Sequence, residues 1–217
     1  MLSMNQFSEE DIRKHCPHCD PQSFALANKL QSTKNFWVVC DVHPLREGHI
    51  LIIPKQHLSC VGEYPLILFK DFLKQYRRVS EFLLQSYGSV ASFEHGVIGQ
   101  TVFHSHLHLF PFAGKPEDIV SEALRHIMPI SNLSALRVAF QRDGKYLFFS
   151  IGKQMWLVDT ILGTPRFFRD RFAHALGVPQ RGNWRSMRAD ERVMVEIKKD
   201  IQNLKLRWKS YGTKDAG

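Results

Sequence analysis

Residues 103–110 read Phe-His-Ser-His-Leu-His-Leu-Phe, with His104, His106 and His108 at strictly alternating positions. Alternation is the period of a β-strand, so three imidazoles in register project from one face. Phe103, Leu107 and Leu109 then point the other way into apolar packing, with Ser105 the one polar exception. A helix would put positions i and i+2 on different faces. Along a strand the outer two Cα atoms stand about 13 Å apart at ~3.3 Å per residue. One metal, with bonds to nitrogen near ~2 Å, would struggle to collect all three. At most an adjacent pair shares a centre, which leaves at least one imidazole to act as nucleophile, acid or base. The plainer alternative is a half-buried strand whose histidines satisfy backbone groups, and it suits one such histidine better than three.

The 217 residues suffice for one large domain or one domain with an extension. A hydrophobic share of 44% and a charged share of 23% are ordinary for a globular protein with a sizeable core. The net charge of +8 and pI near 9.4 suggest an anionic partner: a nucleotide, a nucleic acid or a membrane face. Charge alone does not choose among them. Much of it lies in Lys198, Lys199, Lys205, Arg207, Lys209 and Lys214, where a solvated helix face is the favoured account. The opening MLSMNQFSEED has no apolar core and carries acids, unlike a signal peptide. Apolar runs such as ILIIP are too short to cross a bilayer. The expectation is a cytoplasmic protein without a membrane partner, its four cysteines reduced.

Ser8-Glu-Glu-Asp reads as an N-cap opening a short helix to about His15, followed by a Cys16-Pro-His-Cys19 turn. Phe24–Ala27 reads as a short strand, and Phe36–Cys40 and His49–Pro54 as an antiparallel hairpin around Pro44-Leu-Arg-Glu-Gly48. Leu66, Phe69, Phe72, Leu73, Tyr76, Val79 and Leu83 keep helical spacing, predicting a long helix from Pro65 to about Ser86 whose aromatic stripe is core. Val90–Glu94 and Thr101–Phe110 follow as strands, Pro116–Ile127 as a helix, and Lys145–Ile151 with Gln154–Asp159 as a second hairpin. Thr164–Leu176 and Ala189–Arg207 read as helices. Without a βαβ rhythm, the fold class is α+β, an antiparallel sheet with a long helix across it. A main domain over 1–127 is followed, over 128–217, by a hairpin and two helices, either an appended unit or a continuation of the same sheet.

Cys-Pro-His-Cys also occurs in thiol oxidoreductases, but that chemistry needs a thioredoxin-like βαβ setting that is lacking here. A metal is the stronger reading, and a closed tetrahedral site needs two more ligands. Candidates are His57 and one histidine of the alternating run, with Cys60 a rival to His57. Cys40, inside a strand, reads as core.

Gly99-Gln-Thr-Val-Phe-His104-Ser-His106-Leu-His108-Leu-Phe-Pro111 resembles the signature of the histidine triad (HIT) nucleotide hydrolases and transferases. Upstream, the run from Asp41-Val-His-Pro44 through Gly48-His49 to Pro54-Lys-Gln-His57 resembles the family's other block. The likeness covers roughly residues 16 to 112. A vaguer one extends to Phe167–Gly177 and Trp184-Arg, which resemble tails in bacterial members and dinucleoside polyphosphate enzymes. The resemblance implies a HIT-like sheet, usually dimeric, and a mechanism. His106 would attack the α-phosphorus of a nucleotide, forming a covalent nucleotidyl-imidazole that water or phosphate then resolves. A neutral imidazole avoids the repulsion that an anionic nucleophile meets at a phosphate ester, provided a backbone carbonyl fixes its tautomer. By the same resemblance His108 would hold a phosphate oxygen or the leaving group, and His49 would add a donor. Gln100 and Thr101 would lie near the transferred phosphate, and Asp41 would bind ribose hydroxyls. Zinc-containing members imply Cys16, Cys19, His57 and His104 as ligands of a structural zinc.

Two departures stand out: Ser105 replaces an apolar residue, and Phe93 falls where many members have a polar amide. Glu94 or His95 could substitute, or His95 could be a turn histidine. The retained third histidine favours hydrolase or phosphorylase chemistry on dinucleoside polyphosphates or nucleotide phosphoramidates over sugar-nucleotide transfer. The alternative is a non-catalytic nucleotide-binding regulatory protein. The resemblance also admits nucleic-acid end processing, as in the aprataxin-like branch of the family with its separate C-terminal zinc finger, but this is disfavoured because no cysteine follows Cys60 to build such a finger.

Overall fold

A computed structural model describes residues 15–121 and 123–214. The opening helix expected from Ser8 lies outside these residues, save His15. After the Cys16–Cys19 turn comes a 3-10 turn at Phe24–Leu26, not the expected strand. Only Leu26 is buried there and Phe24 is 60% exposed, the burial of a turn with one anchor. Strand β1 (Lys29–Ser32) follows, an unpredicted edge strand of mixed, mostly polar residues. β2 (Phe36–Cys40) and β3 (Ile50–Pro54) form the predicted antiparallel hairpin, with Val38 opposite Ile52. Helix α1 (Leu66–Tyr87) starts after Pro65 and stops at Gly88, whose φ of 76° lets its N–H close on the Leu84 carbonyl at 3.0 Å. β4 (Ala91–Glu94) and β5 (Leu107–Phe110) come next.

The strand expected over Thr101–Phe110 is thus confined to its last four residues. The backbone before it is engaged elsewhere. His104 N–H closes a tight turn onto Val102 O at 2.9 Å, and Ser105 N–H donates to Leu58 O at 2.6 Å. So His104 and His106 do not share the regular pleat with His108. Phe103 is 48% exposed and not packed inward, whereas Leu107 and Leu109 are fully buried as expected.

The helix expected over Pro116–Ile127 is a 3-10 turn at Pro116–Asp118 and a short α2 (Ala123–His126). The chain then turns into β6 (Ile127–Ile130), whose hydrogen bonds to a later strand compete successfully with helix. Pro129 is tolerated because β6 is an edge strand. α3 (Ser134–Asp143) leads through Gly144 into β7 (Leu147–Ile151) and β8 (Gln154–Val158), the second predicted hairpin. α4 (Phe167–Ala175), α5 (Trp184–Met187) and α6 (Glu191–Lys214) finish the chain. Beyond residue 128 there is accordingly more than a hairpin and two helices: most of β6, plus α3 and α5, are additions to the sequence reading.

The eight strands form one antiparallel sheet in the order β1-β2-β3-β5-β4-β7-β8-β6, so the histidine-bearing β5 is central. Side-chain alternation sorts the core onto two faces. Val38, Ile52, Leu107, Leu109 and Phe148 pack under α1 with Phe72 and Phe82, joined by Trp208 of α6. Phe93, Phe110 and Phe149 face the other way and are covered by Phe168 and Phe172 of α4. Because both faces are covered, β2 and β3 read as continuous apolar runs. Among the described residues no helix is long and apolar enough to cross a membrane.

Candidate active site and metal-ligand cluster

The tight turn at 102–106 aims the first two histidines at different tasks. His104 is fully buried. Its Nε2 lies 2.8 Å from the Pro54 carbonyl, which accepts only a proton-bearing nitrogen, so Nε2–H donates and Nδ1 keeps its lone pair. That Nδ1 faces Cys16 Sγ at 3.4 Å and Cys19 Sγ at 3.4 Å, while His57 Nδ1 is 3.2 Å from Cys19 Sγ. All four candidate ligand atoms lie within 4.8 Å of one another. Zinc bonds of ~2.3 Å to sulfur and ~2.0–2.1 Å to nitrogen give a tetrahedral S···N edge near ~3.5 Å. The donor set therefore fits a tetrahedral ion of zinc's size with little movement. Cys60, the rival to His57, is fully buried elsewhere, beside Ser59.

His106 points instead into a cleft of about 320 Å³. Its Nδ1 lies 2.6 Å from the carbonyl of His104 and must be the protonated nitrogen, leaving Nε2 as a lone pair. His108 and His49 settle their tautomers in series. The Leu45 N–H donates to His49 Nδ1 at 3.0 Å, so the proton of neutral His49 sits on Nε2. That Nε2–H donates to His108 Nδ1 at 2.9 Å, leaving His108 with its own proton on Nε2. Burial keeps these rings neutral: His49 is pushed down to about 3, His108 well below the usual imidazole range, and His106 also below it.

Asp41 is the counter-charge. Burial alone would raise its carboxyl, but the Arg169 guanidinium, then His49 and the His43 N–H, hold it well below the usual carboxylate range. Arg169 Nη1 donates to Asp41 Oδ2 at 2.8 Å, and the His43 N–H donates to Oδ1 at 2.8 Å. Asp41 Oδ2 is also 3.6 Å from His49 Nε2 and 3.8 Å from His108 Nδ1. Asp41, His49 and His108 are grouped closely enough to hold a cation. Arg169 places a fixed positive charge against that carboxylate, so the chemistry of the group suits an ion pair.

The remaining sequence candidates divide. Asp41, His95, Thr101, His106 and His108 line the cleft. His49 stands behind His108. Gln100, expected near a transferred phosphate, donates from Nε2 to the Ser59 carbonyl at 2.8 Å instead and is absent from the cleft wall. His95 Nε2 accepts the Phe168 N–H at 3.3 Å, so this histidine docks α4 and is not simply a turn residue. Glu94 does not substitute for the missing amide: it is buried under Val61, Ser105 and Tyr146. Phe93 stacks on His108, centroids 4.2 Å apart and planes at 18°, holding that ring by packing. Ser105, the unusual polar residue between two histidines, donates to Glu94 at 2.9 Å and meets Tyr64 Oη at 2.8 Å.

Sequence reasoning missed the far wall. Arg166, Arg169, Trp184 and Arg188 reach the cleft from the chain beyond residue 160. Arg169 is buried and also donates to the His43 carbonyl at 2.6 Å. Arg166 holds a left-handed φ of 63° at the start of α4. Arg188 lies over Trp184 at 5.1 Å and donates from Nε to His43 Nε2 at 3.3 Å. The stretches Phe167–Gly177 and Trp184-Arg carried a weak sequence signal, but no spacing rule ties an arginine to an acid 128 residues away.

The HIT domain family matches residues 25–114 of this chain. An uncharacterised HIT-like protein of Mycoplasma genitalium is 30% identical over 108 residues, 48% of this chain and 77% of the relative. The adenylylsulfatase HINT3 of Arabidopsis thaliana is 32% identical over 92 residues, 40% of this chain and 46% of the relative. The adenosine 5′-monophosphoramidase HNT1 of Saccharomyces cerevisiae is 31% identical over 83 residues, 38% of this chain and 52% of the relative. The chain therefore spans most of the first relative but only about half the length of the other two.

Proposed function

The chain belongs to the HIT family, and from that premise we propose that it is a nucleotide hydrolase or phosphorylase using His106 as covalent nucleophile. The substrates proposed are dinucleoside polyphosphates or nucleotide phosphoramidates. The observation that carries this reading is the hydrogen bond from His106 Nδ1–H to the His104 carbonyl, which leaves a neutral Nε2 lone pair on the ring that lines the cleft. In the proposed step Nε2 attacks the α-phosphorus, a P–N bond forms and the bond to the leaving group breaks. His108 Nε2–H, set by the His49 relay, hydrogen-bonds the phosphoryl or leaving oxygen. Water or phosphate then attacks phosphorus, the P–N bond breaks, and a nucleoside monophosphate or diphosphate is released.

Three guanidinium groups in the cleft, Arg166, Arg169 and Arg188, favour a phosphate chain as leaving group over a neutral amine. The names of two relatives, an adenylylsulfatase and an adenosine monophosphoramidase, fit cleavage next to an adenylyl phosphorus. Cys16, Cys19, His57 and His104 would hold a zinc ion. Bound there, it would supply a structural crosslink that anchors the turn before β5. A homodimer, a cytoplasmic location and ribose contacts from Asp41 belong to the same proposal.

Phe93 favours a second reading, a non-catalytic nucleotide-binding protein, because an aromatic ring stands where a polar donor to phosphate is expected. The test is incubation with diadenosine tetraphosphate and with adenosine phosphoramidate. Release of a nucleoside monophosphate or diphosphate by wild type but not by His106→Ala is the expected result. No product from either substrate, with tight binding of nucleoside monophosphate, would favour the second reading.

A further inference from the structure

The Cys-Pro-His-Cys turn contributes more than two sulfurs to this region. His18, between the cysteines, is 4% exposed, and its ring forms part of the cleft wall beside His106. Its ring stands edge-on to His106, centroids 5.0 Å apart at 71°, and edge-on to His104 at 5.5 Å and 82°. Nδ1 of His18 is buried and has no hydrogen-bond partner among the described residues. His49, His104, His106 and His108 all have a ring nitrogen committed to a protein group. A buried imidazole nitrogen left unpaired lowers stability, so its retention calls for a partner that arrives later.

The ring is also held in place. Cys16 and Cys19 on either side are tied to the His104 and His57 rings, Pro17 fixes one φ, and the Cys19 N–H closes on Cys16 O at 3.0 Å. Little further ordering is then needed when a ligand meets His18.

We propose that His18 is a further imidazole of the substrate site and donates a hydrogen bond to a phosphoryl oxygen of the nucleotide seated at His106. This rests on the nucleotide reading above. An anionic oxygen is the class of partner that fits: the cleft already gathers the guanidinium groups of Arg166, Arg169 and Arg188, and an imidazole N–H adds a short directional donor from the metal loop.

The test is calorimetric titration of wild type, His18→Phe, His18→Asn and His18→Gln with AMP and with adenosine, alongside metal content by emission spectroscopy. Phenylalanine keeps the ring shape without nitrogen, while the two amides place a donor near Nδ1 or Nε2. The expected result is AMP binding weakened tenfold or more in His18→Phe, the size of one hydrogen bond to a charged acceptor. Adenosine affinity and metal content should be unchanged, and one of the amides should restore AMP binding to within about threefold of wild type. Equal AMP affinity in His18→Phe and wild type overturns the proposal. So does parallel loss of adenosine binding or metal, or failure of both amides to rescue. Absence of AMP binding by the wild type would overturn the nucleotide reading itself.

Discussion

Glu94 should make this protein less stable as pH rises through neutrality. Its side chain is 1% exposed in the middle of the sheet, beneath the segment that carries His104 and His106. It accepts from the Val61 N–H at 3.0 Å, the Ser105 hydroxyl at 2.9 Å and the Tyr146 hydroxyl. Those donors favour the carboxylate, but burial outweighs them and pushes the group from 4.5 up to about 7. Between those values the unfolded chain has lost the proton and the folded chain still holds it. The stabilisation is therefore fully present below about 4.5 and lost as pH rises through about 7. At 1.36 kcal/mol per unit, this corresponds to about 2–3 kcal/mol between pH 5 and pH 8. The check is urea unfolding of wild type and Glu94→Gln at both pH values under fixed metal conditions. Histidine and thiol titrations are common to the two chains and cancel in the difference. Wild type should lose about 2–3 kcal/mol relative to the variant over that range. Parallel profiles would show that Glu94 ionises at its ordinary value and that burial does not govern it.

Three further outcomes are expected. Arg169→Met should destabilise the fold by about 3–5 kcal/mol by leaving Asp41 buried and unpaired, and adding Asp41→Asn should recover part of that loss in a double-mutant cycle read by urea unfolding. Protein purified without chelator should carry about one zinc per chain, Cys19→Ser and His57→Ala should lower both metal content and melting temperature, and Cys60→Ser should leave metal content unchanged. Gly99→Ala should weaken AMP binding and lower stability by more than about 1 kcal/mol, because Gly99 has φ of 70° and a Cβ there would meet the Thr164 carbonyl oxygen at 2.3 Å, displacing the segment that carries Arg166.

What could be read from the residues was whatever obeys a local period. The 3.6-residue stripe from Leu66 to Leu83 and the apolar runs at 36–40 and 50–54 became α1, β2 and β3 nearly to the residue. The alternating histidines were a truthful signal with a misleading cause. Their spacing suggested a continuous strand, yet side-chain and backbone hydrogen bonds bend residues 102–106 away from the ladder and let neighbouring imidazoles face different centres. β1 escaped because an edge strand needs little apolar content and Lys-Leu-Gln-Ser carries almost no strand signature, whereas the apolar Ile-Met-Pro-Ile of β6 is interrupted by Pro129, which argues against a strand unless it lies at an edge. Cys16, Cys19, His57 and His104 come together as the motif resemblance implied. Gln100 did not reach the cleft, since proximity in sequence to His104 says nothing about which way an amide turns. Arg169 and His18 could not be ranked from sequence alone: one depends on a long-range ion pair, the other on an unpaired nitrogen that only a folded chain can have.

The sheet order sets how far this molecule can be pruned. The family match ends at residue 114, but β4 is hydrogen-bonded on its outer side to β7, with Ala91 opposite Ile151 and Glu94 opposite Phe148. A chain cut after residue 114 would leave β4 with a raw, hydrogen-bonding margin and would strip α4 from Phe93 and Phe110. Such a fragment should self-associate through that margin, so a minimal version of this protein has to keep the later hairpin and α4 even if only the histidines are of interest.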